Sequence, residues 1–160
     1  MNLLTGVAST QLFGGEVSPA VLHLVEKARH TPREQVAAML WAAALGSPQS
    51  LPLYYLLYKL HAGLGELEDA LQAARKGLEA AAQAAALAPD WRAVQRGDAD
   101  FDQPGPARFW LFTLKALAFI ELRRGQRQAA QALVAQLRQL DPADTLGASV
   151  IEALLRESQA

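Results

Sequence analysis

Leu57-Tyr58…Gly65…Ala70…Leu78 and Leu117-Ala118…Gly125…Ala130…Arg138 coincide when the chain is shifted by sixty residues. Each stretch reads as an apolar helix, a tight turn at glycine, and a second helix with a small residue five positions beyond the turn. A helix–turn–helix unit with one apolar face cannot bury that face alone, so repeated units imply a stack in which neighbours cover one another. Working outward, Ser18-Pro19 starts an earlier helix with apolar residues Val21, Leu22, Leu24, Val25 and Ala28. Thr31-Pro32-Arg33-Glu34 has the pattern of a second start, with threonine as cap, proline in the first turn and glutamate three positions after the cap. That second helix runs through Val36, Met39, Leu40, Ala43 and Ala44 and stops near Gly46-Ser47-Pro48.

The expectation is therefore an all-α fold, one domain over residues 1–160, with hairpins near 18–46, 51–84 and 108–140. An insertion is expected at 85–107, where the spacing between hairpins exceeds one repeat by twenty-six residues and Gly97, Pro104, Gly105 and Pro106 break any regular element. Asp141-Pro142 starts a last amphipathic helix over 142–157, with Val150, Ile151, Leu154 and Leu155 on one side, placed to cap the stack. Residues 1–16 read as a short helix or an arm.

Composition bounds the function. The chain is 51% hydrophobic and 19% charged, which is globular, and its net charge of −1 argues against a general nucleic-acid or anionic-membrane binder. Without cysteine there is no disulfide, thiolate catalysis or cysteine-ligated zinc. The N-terminus has no basic residue ahead of its apolar ones, and the Ala80–Ala88 run is too short to span a bilayer, so a cytoplasmic protein is expected. The alanine- and arginine-rich usage suggests a bacterial source.

The second and third hairpins resemble tetratricopeptide repeats, on the 34-residue register, the glycine turns, the small residues Ala70 and Ala130, and the closing Asp141-Pro142. The position that family keeps small within the first helix is Ala118 in the third hairpin but Tyr58 in the second. The resemblance implies a short right-handed stack of antiparallel hairpins whose first helices line a concave groove. By register it points Tyr55, Lys59 and Ala62 inward from one hairpin, and Phe112, Lys115, Phe119 and Arg123 from the next. Such an aromatic and basic lining implies a non-enzymatic adaptor or chaperone-like module that holds another protein, as an acidic peptide or a helix. Two alternatives stay open at this stage: a self-associating homodimer, and a small-ligand-binding or enzymatic helical protein using a cavity under the insertion.

Other constellations point to local structure. His23, Glu26 and His30 lie at i, i+3 and i+7, without an evident fourth metal ligand. His61 stands near a helix end, where a cation suits the dipole. Asp98, Asp100 and Asp102 open like a calcium loop, but Gln103 replaces the needed glycine and Phe109 the needed glutamate. The loop instead reads as acidic and aromatic, with Phe101 offered to a partner or to the groove. Trp41, Trp91 and Trp110 are expected to pack between helices. No catalytic residue, metal or cofactor is indicated.

Overall fold

A computed structural model describes residues 18–158. The reading of residues 1–16 lies outside the described residues. Seven α-helices follow in order: α1 Pro19–Arg29, α2 Arg33–Gly46, α3 Leu51–Gly63, α4 Leu67–Ala85, α5 Pro106–Arg123, α6 Arg127–Leu140 and α7 Ala148–Glu157. Two 3-10 turns, Trp91–Ala93 and Arg96–Asp98, lie in the insertion. Among the described residues there is no strand, and no helix is long and apolar enough to cross a membrane.

Each helix packs on the next in the chain, and α5 also touches α3 and α7. α5 is therefore the hub, and its burial shows it: Phe109, Trp110, Leu111, Leu114 and Ala118 are all sealed from solvent. Full burial of such apolar side chains contributes about 1.5–3 kcal/mol each. A hydroxyl pair, Tyr58 Oη to Thr113 Oγ1 at 3.3 Å, joins α3 to α5 within this core. Burial raises the Tyr58 phenol well above its ordinary range, so the pair is neutral. Tyr58 thus occupies, as a buried spacer, the position that is alanine in the next hairpin.

The two glycine turns are the same turn. At the first, Gly65 N–H donates to Ala62 O (3.1 Å) and Glu66 N–H to His61 O (2.8 Å); at the second, Gly125 N–H donates to Leu122 O (3.0 Å) and Gln126 N–H to Glu121 O (2.9 Å). Both glycines are left-handed, with φ of 77° and 79°. This pattern returns two orphan carbonyls of the helix end to partners. Gly77 serves a different need. A Cβ there would meet Tyr54 Cβ at 3.0 Å, so its lack of a side chain lets α4 lie close on α3.

Two boundaries differ from the sequence reading. Ser18 does cap α1, accepting from Val21 N–H at 3.3 Å, but the Thr31 hydroxyl donates backward to Lys27 O at 2.7 Å, and α2 begins at Arg33 without a side-chain cap. The last helix starts at Ala148, not 142. Asp141 is buried and its carboxylate accepts from Thr145 N–H (3.1 Å), Thr145 Oγ1 (2.8 Å) and Leu146 N–H (2.9 Å), which holds residues 142–147 as a turn. α4 ends at Ala85 because Ala86 turns left-handed, with φ of 56°, and Leu87 N–H closes on Ala82 O at 2.8 Å.

The glycine turns and Ala86 make opposite predictions. Gly65→Ala and Gly125→Ala should each cost about 1 kcal/mol, whereas Ala86→Gly should be neutral or stabilising by up to about 1 kcal/mol, measured by urea unfolding.

Candidate functional site

At 3.6 residues per turn, Phe112, Lys115, Ala116, Phe119 and Arg123 share one face of α5, and Leu117 and Glu121 lie roughly opposite. On the first face two shallow depressions meet. One, of about 210 Å³, is lined by Tyr58, Lys59 and Ala62 of α3 with Phe112, Ala116, Phe119 and Ile120. The other, of about 290 Å³, is lined by Phe112, Lys115, Ala116 and Phe119 with Val150 and Ile151 of α7. Shared walls at Phe112, Ala116 and Phe119 make them one apolar strip between α3 and α7. Phe119 is 38% exposed and Val150 59%, so the strip presents apolar surface to solvent. Lys59 borders its α3 end and Lys115 its α7 end.

The six residues expected to line a groove fall in different places. Phe112 and Phe119 form the strip itself. Tyr55 does not line it, because it is 1% exposed; it lies beneath, its ring 6.0 Å from that of Phe112 and 5.7 Å from that of Tyr58. Lys59 is exposed and lies over the Tyr55 ring, with Nζ donating to Tyr55 Oη at 3.3 Å. Arg123 closes the end of α3 by donating to Ala62 O at 3.0 Å, with its guanidinium 5.9 Å from the Phe119 ring. Lys115 is the half-buried cation of the set. Burial lowers its pKa, the nearby Asp144 carboxylate acting in the other direction. Asp144 itself is held by Arg138 at 3.9 Å and by Ser149 N–H at 3.4 Å.

Sequence reasoning missed Ala116, Val150 and Ile151 as lining. Ala116 was legible from its i, i+4 and i, i+3 spacing to Phe112 and Phe119. The α7 residues were assigned to capping, and only the tertiary fold shows that Val150 leaves an edge uncovered.

The insertion does not lie on this strip. Phe101 is buried against Trp110, with ring centroids 5.9 Å apart, rather than offered to a partner. The three aspartates are used locally: Asp98 accepts from Gln95 N–H (2.9 Å), Asp100 from Asp102 N–H (3.1 Å), and Asp102 meets Arg96 at 3.5 Å. On α1, Glu26 pairs with Arg29 at 3.4 Å and with His30 at 3.2 Å, all exposed.

His61 is not a solvated helix-end cation. It is 4% exposed and lies between Trp41 of α2 and Glu66 of the α3–α4 turn. Trp41 Nε1 donates to Nε2 at 3.1 Å, and Nδ1 lies 3.0 Å from Glu66 Oε1. An indole nitrogen only donates, so Nε2 accepts and the proton sits on Nδ1, facing Glu66. Asp69 completes a group of three ligand atoms within 4.8 Å. A metal at Nδ1 would force the proton to Nε2, against the indole N–H, so this arrangement is a structural relay that ties the first hairpin to the second.

Compared with known proteins, the chain matches no family model, no curated protein and no solved structure.

The Lys115 environment predicts a pH effect. Its charged form is disfavoured by folding, so the penalty is present at neutral pH and is relieved as pH rises through the lowered folded-state pKa. Between neutral pH and about pH 10, wild type should gain stability relative to Lys115→Met, as read from urea midpoints at each pH.

Proposed function

We propose that the chain is a non-enzymatic, cytoplasmic protein-interaction module, a short tetratricopeptide-like array of adaptor or chaperone-like type. Its partner presents an amphipathic helix or peptide with an acidic residue near one end of its apolar face. The observation that carries this reading is the continuous apolar strip on α5, with exposed Phe119 and Val150 between Lys59 and Lys115. Exposed aromatic and aliphatic surface bordered by cations suits apolar anchors flanked by carboxylates. A half-buried ammonium next to apolar groups meets such a carboxylate in a medium of lowered dielectric, where the pairing is stronger than in bulk water. The repeated turn at Gly65 and Gly125 supports the repeat assignment, since identical hydrogen bonds recur at both.

The test is a peptide-display selection on the full chain, counter-selected against Phe119→Ser/Lys115→Glu at matched helicity. Enrichment of sequences with apolar residues at i, i+3 or i+4, and i+7 together with aspartate or glutamate is the expected result. Synthetic peptides from that set should lose about tenfold or more in affinity against Lys115→Met. If nothing enriches, or the enriched peptides bind both proteins equally, the reading fails. A concentration-dependent mass abolished by Phe119→Ser would assign the strip to a second copy of the chain.

A further inference from the structure

Trp41, His61 and Glu66 form a chain of polar groups that joins three elements and plays no part in the apolar strip. Trp41 Nε1 of α2 donates to His61 Nε2 of α3 at 3.1 Å, and His61 Nδ1 lies 3.0 Å from Glu66 Oε1 at the start of α4. The His61 side chain is buried, whereas that of Glu66 is about half exposed. The indole and imidazole rings are tilted by 34°, with centroids 6.2 Å apart.

The seam that this chain crosses is lightly packed. α2 meets the rest of the fold chiefly through α3, and α1 is carried on α2. α2 seals Val36, Leu40 and Ala44 from solvent, and α1 seals Val21, Val25 and Ala28, whereas most of α3 is buried. Few large side chains therefore hold the first hairpin, and the hydrogen bond from Trp41 is a substantial part of its attachment.

Charge around the imidazole is one-sided. From α4, Glu66 and Asp69 place carboxylate oxygens within 4.8 Å of a ring nitrogen. Glu68 on the same turn faces Arg124 of α5 at 2.7 Å instead. Arg124 also meets Glu121, and Arg123 donates to Ala62 O at 3.0 Å. On α3 itself, Lys59 Nζ is directed to Tyr55 Oη at 3.3 Å. The charged residues of α2, Arg33 and Glu34, stand at its start, about 10–12 Å along the helix from Trp41. The ring thus faces a neutral donor on the α2 side and two carboxylates on the α4 side.

Neutral His61 satisfies both sides, with Nδ1–H on Glu66 and the Nε2 lone pair on the indole N–H. One added proton places a hydrogen on Nε2, and two N–H groups then confront each other across 3.1 Å. The imidazolium keeps Glu66 and is attracted by Asp69. We propose that His61 is a proton-operated latch: neutral, it ties α2 and the first hairpin to α3, and protonated, it lets go of Trp41 and is held by the α4 carboxylates. Imidazole is the side chain whose charge changes nearest to neutral pH, which makes it suited to this role. The latch is separate from the apolar strip and stands whether or not the strip binds a partner.

The test is nuclear magnetic resonance of the full chain, with the His61 ring and Trp41 indole signals assigned by through-bond experiments and followed from about pH 8 to pH 5. The Trp41 indole N–H should shift with the same midpoint as the His61 ring, while the indoles of Trp91 and Trp110 do not follow it. Glu66→Gln should move that midpoint to lower pH, because the imidazolium loses a facing carboxylate. A double-mutant cycle of Trp41→Phe with His61→Leu, read from urea midpoints, should give a favourable coupling at about pH 8 that is mostly lost at about pH 5. Should either variant fail to fold, the wild-type titration and Glu66→Gln still decide. An indole signal that stays still while His61 titrates, a coupling equal at both pH values, or a His61 that stays neutral until the chain unfolds would overturn the inference.

Discussion

The burial of α5 is the constraint on which the rest of this structure depends. A helix contacted by α3, α4, α6 and α7 must be apolar nearly all round, and Phe109, Trp110, Leu111, Leu114, Leu117, Ala118 and Ile120 meet that demand. The surrounding helices are then placed by what α5 offers them. Tyr58 reaches Thr113 from α3, Gly77 lets α4 approach closely enough to contact Phe109, and Glu121 anchors Arg124, which reaches Glu68. Only where α5 runs out of neighbours, at Phe112, Ala116 and Phe119, does apolar surface remain open.

Apart from the Tyr58–Thr113 pair in the core, polar groups hold the joints. The His61 relay connects α2 to the second hairpin, Gln136 and Arg96 fasten the insertion to α6 and its end, and Asp141 shapes the approach to α7. Gln136, Arg96 and Asp141 each satisfy backbone groups that lie outside regular helix or at its end, whereas the His61 contacts run from side chain to side chain. The insertion is thereby part of the fold, with Phe101 in the core and Trp91 in a wall. The two faces of α5 consequently differ. One is an open apolar strip between α3 and α7, and the other borders a half-open concavity between α4, α6 and the insertion.

The helical class was legible in the sequence alone, because helix periodicity, glycine turns and proline breaks are local properties of the chain. The sequence located Gly65 and Gly125 correctly, since a left-handed turn at a helix end selects glycine wherever it occurs. It also brought Phe112, Lys115 and Phe119 to one face, which follows from helical spacing alone. Tertiary structure decided what spacing cannot encode: that Tyr55 is floor and Phe119 is surface, that Arg123 closes α3, and that Asp141 delays α7 to Ala148. It also decided that the indole of Trp41 sets the proton of His61, although the two residues lie on different helices. Burial and hydrogen-bond partnership depend on which elements meet. That meeting is set by how the described helices pack on one another, four of them on α5, not by any one of them.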